Sequence, residues 1–153
     1  MAELRIQRLC ADHPDAVRLL TAYFDELGVR LGGFDPARSV SANPEEMTPP
    51  HGVFLVLYED GAPVACGGIK ALGPDVGEIK RMFVVAGARG RGHGRRLLAD
   101  LEDAARSLGF LRVVLDTALP LEEAAAMYIS AGYREIAPYN QNAYAARWFD
   151  KEL

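Results

Sequence analysis

Cysteine is scarce in this chain: Cys10 and Cys66 are the only two among 153 residues. They allow at most one bridge, which argues against a disulfide-stapled secreted scaffold and for a reducing cytoplasm. Long apolar runs are also missing. The longest, such as "VFLVLY" at 53–58, are far too short to cross a bilayer, and the start "MAELRIQRLC" carries charges where a secretory signal needs an apolar centre. Positive charge is not in excess, since the chain carries a net charge of −4, so neither a nucleic-acid binder nor a membrane-surface binder is expected. The three histidines, His13, His51 and His93, lack partners at metal-ligand spacing, and no metal is expected. Internal repeats and low-complexity tracts are absent as well.

What is present is half apolar and long enough to bury a core, so residues 1–153 are expected to form one α/β domain. "LRIQRL" (4–9) alternates like a strand. A helix is expected from about Pro14 to Leu27, with Val17, Leu20, Phe24 and Leu27 on its buried face and Gly28 as its stop. Residues 32–52 hold four prolines and three glycines and predict a long loop that has room for one helical turn. "GVFLVLYE" and "APVACGGIKAL" flank Asp60-Gly61, a hairpin signal, and "GEIKRMFVV" (77–85) is a third strand. A helix then runs to about Leu108, followed by a strand at 110–118, a short helix at 121–131 and two terminal antiparallel strands. This order suits a mixed sheet with helices on both faces.

The most informative stretch is "VVAGARGRGHGRRLL" at 84–98, where a strand runs into glycines and then into an amphipathic helix. Its positive charge is local: residues 89–96 contain four arginines and no acid. A helix start offers unbonded N–H groups and the positive end of the helix dipole, a site suited to phosphate. The Rossmann spacing fails because position 97 is Leu, and no P-loop exists. What remains is R-x-x-G-x-G, from Arg89 to Gly94.

"RGRGHGRRLL", preceded by "EIKRMFV" and followed by "AAAMYISAGYRE", resembles the acetyl-CoA-binding core of the GNAT superfamily of N-acetyltransferases. The resemblance implies a mixed central sheet of about six or seven strands flanked by about four helices, with acetyl-CoA as cosubstrate. It implies that Arg89, Gly90, Arg91, Gly92, His93, Gly94 and Arg95 hold the pyrophosphate, while Met82, Phe83 and Val84 pair with the pantetheine arm. Glu78 is the implied general base, with a structural carboxylate paired to Lys80 or Arg112 as its alternative role. Tyr128 is the implied partner of the departing thiolate, with core packing as its alternative. The asparagine that the family often places seven residues before that tyrosine is Leu121 here.

Cys66 is expected in the core and not as a nucleophile. Asp25 and Glu26 are expected to be solvated, and "PYNQNAYA" (138–145) is a candidate acceptor-recognition loop. The expected activity is acetyl transfer to a primary amine of a small molecule or peptide, and the sequence leaves room for a homodimer. A CoA-binding sensor without turnover and an enzyme acting on protein amino groups are the alternatives.

Overall fold

A computed structural model describes residues 2–38, 42–118 and 122–153. The strands are β1 (Leu4–Arg8), β2 (Gly52–Glu59), β3 (Ala62–Ala71), β4 (Val76–Val84), β5 (Arg112–Thr117), β6 (Arg134–Ile136) and β7 (Arg147–Glu152); the helices are α1 (Pro14–Arg30), α2 (His93–Ser107) and α3 (Glu122–Ser130). Seven strands form one sheet in the order β1-β2-β3-β4-β5-β7-β6. All neighbours are antiparallel except β4 and β5. The mixed sheet is as expected. The helix count is three among the described residues instead of about four, because 32–52 supplies only two 3-10 turns, Pro36–Arg38 and Pro44–Met47. Prolines in that segment remove the N–H groups that a longer helix would use.

The α2 stripe is Leu97, Leu98, Leu101, Ala104 and Ala105, all buried against β2, β3 and β4, in one cluster with Ala125 and Tyr128 of α3. Each buried leucine contributes about 1.5–3 kcal/mol. The opposite sheet face packs on α1 through Phe54, Val56, Cys66 and Phe83. Here the structure departs from the expected face. Ala16, Leu19 and Leu27 are buried, whereas Val17 is 46% exposed.

The helix also passes through Gly28. Its end is set by Gly32 at φ +70°, where the Gly33 amide donates to the Gly28 carbonyl at 2.8 Å and the Gly32 amide to that of Val29 at 3.5 Å. This Schellman pattern satisfies the last carbonyls, and Arg30 adds a 2.6 Å hydrogen bond to Glu123. Together these offset the roughly 1 kcal/mol cost of glycine inside a helix. The Asp60-Gly61 turn, with φ +50° and +82°, has the hairpin geometry expected of it.

At the far edge Asp150 of β7 is buried and accepts from Arg112 Nε of β5 at 2.8 Å and Arg134 Nε of β6 at 2.7 Å. These bonds, that from Arg134 foremost, hold the Asp150 carboxyl below its ordinary range. A depressed folded pKa gives stability that is present above the unfolded value of about 3.9 and is lost as pH falls through the folded one. Asp150→Asn is therefore expected to lower stability by about 2 kcal/mol at pH 7, or about 5 °C in Tm, because both arginines are part-exposed. Thermal melts should show the gap between wild type and variant closing below about pH 4. A gap independent of pH would mean that shape, not charge, holds this edge.

Candidate active site

β4 pairs with β5 only over Val76–Glu78 and Arg112–Val114. Beyond that point β4 stays with β3 and β5 stays with β7, so the two strands part and one edge of β4 faces open space. A bulge sharpens the parting: Arg81 and Met82 stand opposite the single residue Gly67, and Arg81 takes φ +61°. Two cavities occupy the opening. The inner one, of about 90 Å³, is lined by Tyr23, Lys80, Arg81, Asp116, Tyr128 and Tyr144 among others. The outer groove, of about 360 Å³, runs along Met82, Phe83 and Val84 to Arg89, Gly90 and Gly94. Tyr23, Leu27, Met82, Ala124 and Tyr128 are common to both.

At the outer end the glycines have distinct duties. Gly90 and Gly92 sit at φ +80° and +82° with nothing near the place a Cβ would take, whereas a Cβ on Gly94 would meet Met127 Sδ at 2.9 Å. Gly92 is the N-cap of α2, and no side chain caps this helix. Its first helical hydrogen bond runs from the Arg96 amide to the Gly92 carbonyl at 3.1 Å, which leaves the amides of His93, Gly94 and Arg95 without helical acceptors.

The arginines are less free than the amides. Arg89 donates to the Val84 carbonyl at 3.0 Å and to both Glu26 oxygens at 2.8 and 2.6 Å. Arg91 pairs with Glu59, Arg95 with the Ser130 hydroxyl and Arg96 with Asp100. Glu26 is thus engaged where solvation was expected, while Asp25 is exposed. His93 is buried with Nε2 2.6 Å from Glu59 Oε2, so its imidazole anchors the turn and only its amide faces outward duty.

At the inner end Glu78 has no exposed surface and does not line the inner cavity. Its Oε2 accepts from the Tyr139 hydroxyl at 2.6 Å and lies 3.9 Å from Lys80 Nζ, while Lys70 Nζ lies 4.0 Å from Oε1. Arg112 is committed to Asp150 instead. Burial, then the Glu78 charge, pushes the Tyr139 phenol far up, so it stays a donor.

The carboxylate that does line the inner cavity is Asp116, on the carboxyl-terminal half of β5. It accepts from Asn140 Nδ2 at 2.7 Å and Asn142 Nδ2 at 3.1 Å, and Asn140 Oδ1 accepts from Trp148 Nε1 at 2.9 Å. The 138–145 loop therefore does two jobs: Asn140 orients Asp116, and Asn142 and Tyr144 reach the inner cavity. Sequence reasoning missed Asp116, although a polar residue near the end of a parallel strand, where strands part, is where ligands gather.

Tyr128 is buried, its hydroxyl 3.7 Å from Met82 Sδ, and burial raises its pKa so that it stays protonated. Burial also pushes the Cys66 thiol up to about 12, which suits the core role expected of it. Among the described residues no three His, Cys, Asp or Glu side chains gather in a metal-holding group. Leu121 lies outside the described residues.

The sequence pattern of the acetyltransferase (GNAT) family matches residues 16–133. An IAA acetyltransferase of Azospirillum brasilense is 36% identical over 118 residues, covering 75% of this chain and 76% of that protein. An uncharacterized N-acetyltransferase of Schizosaccharomyces pombe is 32% identical over 138 residues, covering 88% and 84%. In fold, a GNAT-family acetyltransferase of Staphylococcus aureus superposes with a TM-score of 0.78 at 18% identity over 98% of this chain and 99% of that one. A GNAT-family acetyltransferase of Elizabethkingia anophelis with acetyl-CoA bound superposes at 0.70 and 16% identity over 98% of both.

The uncapped amides of α2 predict an anion at Gly92. Gly92→Asp places a negative charge there, while Gly92→Asn asks the same left-handed backbone of a neutral side chain that tolerates it. By calorimetry, Gly92→Asp should lose coenzyme A binding and Gly92→Asn should keep it within several-fold. Equal affinity in wild type and both variants would move the anion elsewhere.

Proposed function

The chain belongs to the GNAT acetyltransferase family, and from that premise we propose that it transfers the acetyl group of acetyl-CoA directly to a primary amine of a small molecule or peptide. The observation that carries this reading is the open edge of β4. Apart from the Val84 carbonyl, which accepts from Arg89, this edge meets no strand, and the groove along it runs from the uncapped start of α2 to Tyr128 and the inner cavity. An extended pantetheine arm can pair with Met82, Phe83 and Val84 as an added strand, and the pyrophosphate can lie on the amides from Arg89 to Arg95. The fit is shaped by two left-handed glycines with open space before them.

Amine attack on the thioester requires a neutral nucleophile. An alkylammonium of pKa about 10.4 is neutral to about one part in 2,500 at pH 7, so deprotonation costs about 4.6 kcal/mol. Glu78 and Asp116, joined through Asn140, form the carboxylate pair that takes this proton. Asp116 is the member on the inner cavity wall, and Glu78 supplies negative charge behind it. As the carbon–sulfur bond breaks, the Tyr128 hydroxyl donates to the departing thiolate. Its raised pKa makes a hydrogen bond, not proton transfer to a thiol of pKa about 8.5, the favourable role. We assign the activity to the cytoplasm, where Cys10 and Cys66 stay as the free thiols they are.

Steady-state kinetics on a panel of primary amines, following CoA thiol release, tests this assignment. Asp116→Asn and Glu78→Gln should each lower kcat/KM by about 10²- to 10⁴-fold near pH 7, and recover part of it at higher pH as the amine deprotonates unaided. The KM for acetyl-CoA should stay within about twofold. No CoA release with any amine, beside intact CoA binding, would establish a binding module in place of an enzyme.

A further inference from the structure

The inner cavity holds a cation that the chain leaves without an anionic partner. Arg81 lines the cavity wall, yet its guanidinium makes no ion pair and no hydrogen bond among the described residues. Its contact is with the Phe24 ring, 5.0 Å from the guanidinium carbon to the ring centre. Every other charge on this wall is engaged. Lys80 stands 3.9 Å from Glu78, and both Asp116 oxygens accept from asparagines.

The surroundings press on that charge. Burial shifts the Arg81 pKa down, and Tyr23, Asp116 and Glu78 oppose the shift without reaching ion-pair distance. An arginine cannot escape by losing its proton, so a part-buried guanidinium facing a cavity is a standing demand for an anion. The Phe24 ring packs against the guanidinium, and a planar fork matches a carboxylate with two parallel hydrogen bonds. Tyr23, whose phenol is pushed up to about 12 mainly by burial, stays protonated beside Arg81 as a second donor.

The backbone is shaped to the same end. Arg81 occupies the bulge of β4 at φ +61°, a conformation strained for an L side chain, and that bulge turns two successive basic residues, Lys80 and Arg81, to one cavity. Opposite stands Asp116, suited to an ammonium group. Resting on the acetyl-transfer function above, we propose that the acceptor is a small amino acid: its ammonium meets Asp116 and its carboxylate meets Arg81. The inner cavity, of about 90 Å³, suits a small molecule of that kind and not a folded protein surface.

Matched pairs of amines test this. Alanine is compared with ethylamine, and 4-aminobutyrate with propylamine, in wild type, Arg81→Gln and Arg81→Lys, with thermal melts confirming that each variant folds. In wild type at least one acid should exceed its decarboxylated partner in kcat/KM by about 10-fold or more, the scale of one charge-assisted pair. Arg81→Gln should raise the KM of that acid about 10- to 100-fold, leave the plain amine and acetyl-CoA within about twofold, and Arg81→Lys should recover part of the loss. Equal turnover of acid and amine in wild type, or equal slowing of both by Arg81→Gln, would overturn the assignment. Calorimetry of the same acids with CoA present separates the two levels. Acid binding that Arg81→Gln abolishes supports the carboxylate site even if no amine is acetylated, and acetylation indifferent to Arg81 leaves the transferase standing without it.

Discussion

The opening of the candidate site depends on one broken pairing, the parting of β4 from β5 after Glu78 and Val114. A sheet normally satisfies every backbone group on both edges of an inner strand. Here the carboxyl-terminal half of β4 keeps one edge without a strand partner in the middle of a seven-strand sheet, with only the Val84 carbonyl taken, by Arg89, which is unfavourable unless something else pairs with the rest. The structure holds the gap open from both sides. The Arg81 bulge bends β4 away, and β5 is tied to β7 along its whole length, with Asp150 clamping Arg112 and Arg134 at the far edge.

The gap is also what sorts the charges. Glu78, at the last paired position, is sealed off with Tyr139 and the two lysines nearby, so its charge is felt in the inner cavity but not exposed there. Asp116, two residues past the split on β5, is in contact with the inner cavity and held by Asn140 and Asn142. Arg81, one bulge past the split on β4, faces the same space without an anionic partner. A pair of strands that stayed together would bury Asp116 and Arg81 in ordinary ladder positions, as Glu78 already is. The aromatic series Phe83, Tyr23, Phe24, Phe34 and Tyr144, with neighbouring rings 4.7–5.7 Å apart, ties α1 and the 138–145 loop into one wall around them.

Local chemistry was legible in the sequence and long-range pairing was not. The glycine turn into α2 could be read because its signal lies within ten residues: a strand, glycines at fixed spacing, then a 3.6-residue period. The Asp60-Gly61 hairpin was legible for the same reason. The end of α1 was not, because Gly28 and Gly32-Gly33 are both plausible stops and only the hydrogen bonds back to Gly28 and Val29 decide between them. The arginines of the turn read as free charge, yet Glu26 and Glu59, far away in sequence, take two of them. Asp116 in "VVLDTA" looked like any strand residue until the split put it on an open wall, and Glu78, which the resemblance implied as the base, is sealed beside Lys80, the partner named for its alternative role.

Amide hydrogen exchange resolved by residue would show whether the open edge of β4 receives the pantetheine arm, as proposed. On addition of acetyl-CoA, amides on the open edge between Met82 and Val84 should slow by about tenfold or more, as those of a newly paired strand. The outer-edge amides of β1, likewise without a strand partner but remote from the gap, should not change. Slowing confined to the start of α2, with Met82 to Val84 exchanging as before, would contradict the account and leave the opening of the sheet without its purpose.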